Sequence, residues 1–507
     1  MRNLSCFFRL LFVVTILAVS VPSWSQDYPK REMRAIWIAT VNNIDWPSKP
    51  GMSTEEQQAE MIKLLDNVSL YHMNTVVFQI RPCADAFYPS KLEPWSQWLT
   101  GKQGQAPEPY YDPLAYAIQE CRKRGIDVHV WLNPYRAVKD TSDVTSPDHI
   151  TNIHPEWFLV YGRTTYFDPG LQQTRDFVAS VVGDIVRRYD VDAVHMDDYF
   201  YPYRIANLEF PDDSTFAKNP RGFASERKDD WRRDNVDLII RQIHDTIKAI
   251  KPWVEFGISP FGVWRNIAND PGGSKTKAGQ TNYDDLYADI LKWQKEGWID
   301  YVTPQIYWQI GKEVADYSIL SDWWSHNAYG CQVYIGQAPY RIDRKAKEKE
   351  WRKSGEIIKQ IRLNRTYPNV GGSMYFSGKF LEKDPLRIKE KMLRDLYKYQ
   401  ALTPSNALVI PMVPDKPKEA VMTNSDGKTI LSWKGGTGIK NYVVYKFRKG
   451  KPANINNPAN ILMVTSSESV SFIPDKKCNT EDYFYVVTSQ SHTNMESVPV
   501  YFTGAVN

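Results

Sequence analysis

The residues best placed to do chemistry are two adjacent carboxylates, Asp197 and Asp198, in the run VDAVHMDDYFYPY at 191–203, where a short apolar strand gives way to an aromatic loop. Successive side chains of a strand point to opposite faces, so Ala193, His195 and Asp197 share one face while Val194, Met196 and Asp198 share the other. Val194 and Met196 suit a face covered by helices, which turns Asp197 inward with His195 and leaves Asp198 beside it where the strand ends. Carboxyl groups so placed can act at an acetal carbon: one gives a proton to a leaving oxygen, and another faces the positive charge that develops. An Asp-Asp pair can equally be a helix cap or a loop ion pair. Its meaning therefore depends on the elements that carry it.

Those elements repeat. Strand candidates lie at 34–41, 75–81, 127–131, 193–197, 253–258, 301–305, 331–336 and 371–375. Helical patterns alternate with them at 54–71, 113–124, 174–189, 230–251, 284–296, 316–326, 347–364 and 385–399. Several begin on Thr, Asp or Pro, as helix N-termini prefer, and Gly125 and Gly297 follow helix ends, where a left-handed cap is common. Right-handed crossovers between parallel strands leave few closures for eight such units, and a (β/α)8 TIM barrel is the expected fold, with a doubly wound open sheet as the runner-up. The loops after the second to fifth strands are long and those before the strands short. That asymmetry puts the working face at the strand C-terminal ends.

The same alternation, applied along the chain, collects polar side chains on one face: Gln79 and Arg81; His129, Trp131 and Asn133; Glu255, Gly257 and Ser259; Thr303, Gln305 and Tyr307. Small barrels also bury structural polar groups, a reading that suits Glu255, early in its strand. The loops add Asp45 and Trp46, then Asp85, then Tyr135, Arg136 and Asp168, then Tyr199, and finally Trp264 and Trp308. Flat aromatics interleaved with carboxylates, amides and arginine line clefts for polar, ring-shaped polymers. The chain has no phosphate loop, GxGxxG, GxSxG or HExxH, and its scattered histidines form no metal triad. No cofactor and no metal are expected.

With 507 residues the chain exceeds one ordinary core. Arg2 and Arg9 precede an apolar run at 10–21 and small residues at Ser23 and Ser25, the pattern of a secretory signal peptide over 1–25. The expected product is periplasmic or extracellular, without stable membrane insertion, because no later stretch is long and apolar enough to span a bilayer. Cys6 lies before the apolar run, which argues against a lipoprotein cleavage site. A net charge of +4, lowered further once Arg2 and Arg9 are removed, gives no basic field for nucleic acid. The remaining cysteines, Cys83, Cys121, Cys331 and Cys478, show no paired metal spacing, and no disulfide is assigned. The barrel is expected over 32–400 and a Pro-rich linker over 401–417. Alternating runs at 418–507 read as a small seven-stranded β-sandwich.

The segments RAIWIATVNNIDWPS, VVFQIRPCADAFYPSKLEPWSQWLTG, VHVWLNPYR, HPEWF, FDPG, VDAVHMDDYFYP, VEFGISPFGVWRN and VTPQIYWQIG together resemble the glycosyl-hydrolase-like family 10 group. That group includes a divisome-localised glycosidase acting on peptidoglycan strands stripped of their stem peptides. The resemblance, over about 32–400, implies a bacterial envelope enzyme for β-linked amino-sugar polymers. The appended sandwich, which resembles a fibronectin type III domain by its strand tryptophan and YFYVV run, and the missing lipobox depart from the group's pattern. Anchoring and septal recruitment are therefore not carried over, and dietary or host glycans stay open as substrates.

Two functional readings follow. In the first the chain is a glycoside hydrolase with Asp197 as the carboxylate at the anomeric centre and its partner among Asp198, Asp85, Asp45 and Asp168. Substrate would be held by Arg81, Asn133, Tyr135, Arg136, Asp168, Tyr199, Trp264, Gln305, Tyr307, Trp308, Asp45 and Trp46. In the second the barrel binds glycan without cleaving it, since no second carboxylate stands out at the other strand ends.

Overall fold

The computed structural model describes residues 28–473 and 482–504, so the leader, Cys6 and Cys478 lie outside the described residues. Eight parallel strands close into a barrel: β1 (Met33–Ile38), β2 (Thr75–Arg81), β3 (Asp127–Leu132), β4 (Ala193–Met196), β5 (Glu255–Ile258), β6 (Tyr301–Val302), β7 (Gln332–Gln337) and β8 (Val370–Tyr375). Each pairs with its neighbours in chain order, and β8 closes onto β1. This is the expected TIM barrel, and the open sheet is ruled out by the β1–β8 pairing of Met33 with Gly372 through Ile36 with Tyr375.

The alternation that aimed Asp197 is visible in the packing. Ala35, Trp37, Val77, Trp131, Ala193 and Tyr301 form a small cluster inside the barrel, whereas Ile36, Val76, Val130, Val194 and Met196 belong to the large core between strands and helices. Two imidazoles occupy the barrel axis: His129 Nδ1 and His195 Nδ1 each lie 2.9 Å from the Tyr301 hydroxyl, and His195 Nε2 lies 3.0 Å from Ser259 Oγ and 3.3 Å from Trp37 Nε1. Tyr301 fits only because β5 has glycine opposite. A Cβ on Gly257 would stand 2.0 Å from Tyr301 Cζ.

The helices depart from expectation at three places. The pattern at 284–296 is a short turn, Asn282–Asp285, and a second piece, Ile290–Lys295, split by Tyr287 at φ 53° and restarted by Asp289, which accepts from Lys292 N. The stretch 347–364 is helical only over Gly355–Asn364, after a 3-10 turn at Lys349–Arg352. The last helix is Ile388–Asp395, because Asp384, Leu386 and Arg387 take left-handed backbone angles ahead of it. The β3–β4 loop also holds a three-stranded sheet, Arg136–Val138, Phe158–Tyr161 and Thr164–Phe167, whose hairpin turns on Gly162 at φ 63°.

After the barrel the chain forms two four-stranded sheets. One is ordered Ser469–Phe472, Lys428–Lys434, Lys418–Ser425, Thr503–Gly504; the other Ile461–Thr465, Asn441–Arg448, Tyr483–Gln490, Val500–Tyr501. The last run, read from sequence as one strand, is shared between the sheets on either side of Phe502. These sheets grip the barrel's N-terminal end. Lys440, with a fully buried side chain, places Nζ 2.8 Å from Asp127 and 3.1 Å from Asp192, and Arg122 completes the cluster at 2.8 Å from Asp192. Asn406 donates to the Asp300 carbonyl, and Val464 fills the space beside Gly125.

Candidate active site

The C-terminal ends of the strands surround a cavity of about 250 Å³, lined on the β4 side by Asp197 and Tyr199 and across from it by Trp37, Tyr307, Tyr340 and Phe376. Asp197 continues the inward face of β4. Its Oδ2 accepts from Trp131 Nε1 at 3.2 Å, and both its oxygens lie 3.1 Å from Asn133 Nδ2. Asn133 in turn accepts from Arg136 N, which locks its amide so that nitrogen faces the carboxylate. Burial raises the Asp197 carboxyl to about 6, against the Arg136 charge and the Trp131 and Asn133 donors, which favour the ionised form.

Asp198 points the other way. Its Oδ2 accepts from the Tyr203 hydroxyl at 2.7 Å, while Oδ1, equally buried, finds no partner among the described residues. Burial first, and the neighbouring Asp197 charge second, push its carboxyl up to about 7. Burial raises both acids, and the charge of one opposes ionisation of the other, so the adjacent pair can hold a single proton near neutral pH, one member ionised and one protonated.

Arg136 supplies the cation of the cavity. Its guanidinium is held by the Pro82 carbonyl and Cys83 Sγ and stands 5.5 Å over the Tyr199 ring. Gln305 lines the floor while donating to the Ser259 carbonyl. Gln79 also lines it: its Oε1 accepts from Thr40 N and Val41 N, and its Nε2 has no partner among the described residues. The rings of Tyr307, Tyr340 and Phe376 lie 6.0–6.3 Å apart, edge to face or tilted, and half-exposed Tyr340 extends them outward.

Of the residues singled out from sequence, the structure thus gathers Asp197, Asn133, Arg136, Tyr199, Gln305 and Tyr307, with Asp198 directly beside them. The others lie elsewhere, each for a visible reason. Arg81 is consumed by a buried ion pair with Glu93 at 2.6 Å and by the Asn133 carbonyl. Asp85, pushed by burial to about 7, caps Cys83 N and faces a separate crevice with Trp98 and Gln103. Asp45 ties the end of β1 to the loop after β8 through Ala39 N, Ser377 Oγ and Lys379 N. Asp168 closes its own turn with Gly170 N and the Thr215 hydroxyl. Trp46 is core, against Phe78 and Phe87. Tyr135 is buried between Phe167 and Phe200. Trp264 stacks on Trp323 and bonds Asp289, and Trp308 packs on Phe261. Glu255 sits at the opposite end of the barrel near Asp300.

Trp37, Tyr340 and Phe376 were not singled out. Trp37 carried a usable signal, since it shares the inward face of β1 with Ala35 and Ala39; Tyr340 and Phe376 lie in loops after their strands, where no alternation fixes the direction of a side chain. Among the described residues no group of three or more His, Cys, Asp or Glu could hold a metal ion, and no helix is long and apolar enough to cross a membrane.

Comparison with known proteins adds a family. A model described as glycosyl hydrolase-like 10 matches residues 32–353. The glycosyl hydrolase YngK of Bacillus subtilis is 45% identical over 503 residues, spanning 97% of this chain and 96% of that one. The glycosyl hydrolase DigH of Escherichia coli K12 is 39% identical over 394 residues, spanning 73% of this chain and 88% of that one. Among solved structures, the glycoside hydrolase domain of PgaB (BpsB) from Bordetella bronchiseptica overlaps with a TM-score of 0.49 at 11% identity, over 74% of this chain and 100% of that one.

Proposed function

The chain belongs to the glycosyl hydrolase-like 10 family and is a glycoside hydrolase, and on that premise we propose that it is exported and cleaves peptidoglycan glycan strands with Asp197 and Asp198 as its working pair. The observation that carries the assignment is the Asp197 carboxylate, held by Trp131 and Asn133 at the mouth of an aromatic-walled cavity. In its ionised form it faces the positive charge that grows at C1 as the glycosidic bond lengthens. Asp198, buried beside it and raised by burial and by the Asp197 charge, is the proposed proton donor to the leaving oxygen; since its side chain rests on Tyr203 outside the cavity lining, this role requires it to turn toward the substrate. Tyr307, Tyr340 and Phe376 offer faces on which pyranose rings stack.

Export rests on the leader pattern at 1–25, and the choice of peptidoglycan on the family resemblance together with the aromatic wall. The test is a digest of peptidoglycan strands stripped of stem peptides, run beside plant and host glycans, with new reducing ends counted by mass spectrometry. Products from the stripped strands support the assignment. Products from dietary or host glycan alone would move the enzyme to another substrate, and no product from any would remove the proposed role of the pair.

A further inference from the structure

We propose that the attacking group is supplied by the substrate: the sugar held at Asp197 carries a 2-acylamino group whose carbonyl oxygen displaces the leaving group. This rests on the hydrolase reading above and deepens it. Hydrolysis by two protein carboxyls places them on opposite sides of the sugar ring, about 5–5.5 Å apart for direct attack or about 6.5–9.5 Å apart when a water lies between. Here both acids come from consecutive positions at the end of one strand, β4.

The strand facing β4 across the closed barrel is β8. The wall on that side is built of Trp37, Tyr340 and Phe376, with Tyr307 adjoining; among the described residues Asp197 is the one carboxylate lining the cavity, and Asp198, next to it in the chain, has to turn from Tyr203 to reach the same side of the sugar. Asp45, Asp85 and Asp168 are each turned to backbone amides elsewhere. Aromatic rings can stack on a pyranose and favour a cationic centre, but they cannot attack it or take a proton from water. A 2-acylamino oxygen reaches C1 from within the same sugar, an intramolecular attack with a large advantage over an external nucleophile.

The steps balance with the residues present. The acylamino oxygen bonds to C1 as the bond from C1 to the leaving oxygen breaks, and that oxygen takes the Asp198 proton. The resulting five-membered oxazolinium ring is positively charged, and its N–H donates to the Asp197 carboxylate, which Trp131 and Asn133 hold from behind. Water then bonds to C1, gives its proton to the Asp198 carboxylate, and the ring C1–O bond breaks to restore the amide. Two inversions at C1 leave the configuration retained.

The test uses the full chain on stripped glycan strands that have been chemically N-deacetylated and then re-acylated with acetyl, fluoroacetyl or trifluoroacetyl groups. Fluorine withdraws electrons from the carbonyl oxygen without adding charge, so the expected result is a stepwise fall in kcat, about 100-fold or more across the series, with KM changing little. Products quenched early should retain the starting anomer by NMR. Equal rates on acetyl and trifluoroacetyl strands, or an inverted product, would overturn the acylamino mechanism and leave the hydrolase reading standing. Failure to cut even the re-acetylated strands would instead remove the peptidoglycan reading, and this mechanism with it.

Discussion

The side-chain amide of Asn133 lies 3.1 Å from both carboxylate oxygens of Asp197. An amide nitrogen shared between two oxygens fixes the plane of the carboxylate and favours its charge, the form needed opposite a cationic centre. Asp197→Asn keeps volume and packing but removes that charge. Turnover on stripped strands should fall by about 10³ or more, with the thermal midpoint close to wild type and strand binding by calorimetry retained. Asn133→Ala should cost about 10-fold to 100-fold in kcat through misorientation of the same group.

The pair also sets the pH response. Asp197 must be ionised and Asp198 protonated, and burial places their carboxyls at about 6 and about 7. The plot of kcat/KM against pH should be a narrow bell with its maximum between those values, its limbs belonging to the pair. On an activated aryl glycoside, whose leaving group needs no proton, Asp198→Asn should retain much of the rate and lose the alkaline limb. Stability follows the opposite sign from an ordinary salt-bridged acid. A carboxyl raised on folding contributes its full stability below its unfolded value, and this is lost as pH climbs through about 7. Thermal melts of Asp198→Asn should accordingly vary less between pH 5 and pH 8 than those of wild type.

Much of this was legible in the sequence because strand alternation is rigid. Once Val194 and Met196 were assigned to the helix side, Ala193, His195 and Asp197 had to point inward, and the packing agrees. Loops have no such rule. Arg81 ends a strand on the inward face, yet Glu93, twelve positions on in a loop, turns back to claim it. Trp46 and Trp264 look like sugar platforms in sequence, since a tryptophan suits a core and a cleft equally; only Phe78, Phe87 and Trp323 decide the matter. Trp37 is the converse case: alternation along β1 puts it on the inward face with Ala35 and Ala39, but an aromatic among apolar neighbours reads as core until the strand is seen to open onto the cavity.

Lys440 makes the C-terminal sheets part of the barrel's foundation. Burial alone would raise the Asp192 carboxyl; Arg122 and Lys440 more than reverse this and hold it well below the usual range. Lys440→Met leaves two buried carboxylates with Arg122 as their remaining ion-pair partner among the described residues and should cost about 3–5 kcal/mol in chemical denaturation at neutral pH. The loss should shrink in acid as the carboxyls take up protons. A chain ending at Tyr399 would lose Lys440, Asn406 and Val464 together, and it should melt well below the full chain or fail to fold. A truncated barrel as stable as the full chain would show that the sheets are a spacer.

Gly257→Ala tests the barrel interior. The new methyl would meet the Tyr301 ring at 2.0 Å, and that ring is already bounded by His129, His195 and Tyr334. A destabilisation of about 3 kcal/mol or more is expected, measured by denaturant midpoint.

The polar chain along the barrel axis has only one direction. An indole N–H can give a hydrogen but never receive one, so the contact from Trp37 Nε1 requires a bare lone pair on His195 Nε2. The neutral ring then carries its hydrogen on Nδ1 and gives it to the Tyr301 oxygen; Tyr301 passes its own to His129 Nδ1. Ser259 turns its hydrogen inward, sharing the His195 Nε2 lone pair with Trp37 or giving it to the Met196 carbonyl at 3.4 Å, which leaves its oxygen lone pairs for the cavity. A proton added to His195 Nε2 would set donor against donor at Trp37, and this adds to the burial that already holds both imidazoles below their ordinary range. The floor beneath the substrate is therefore a one-way circuit, wired to accept hydrogen bonds at Ser259 however the acids above it titrate.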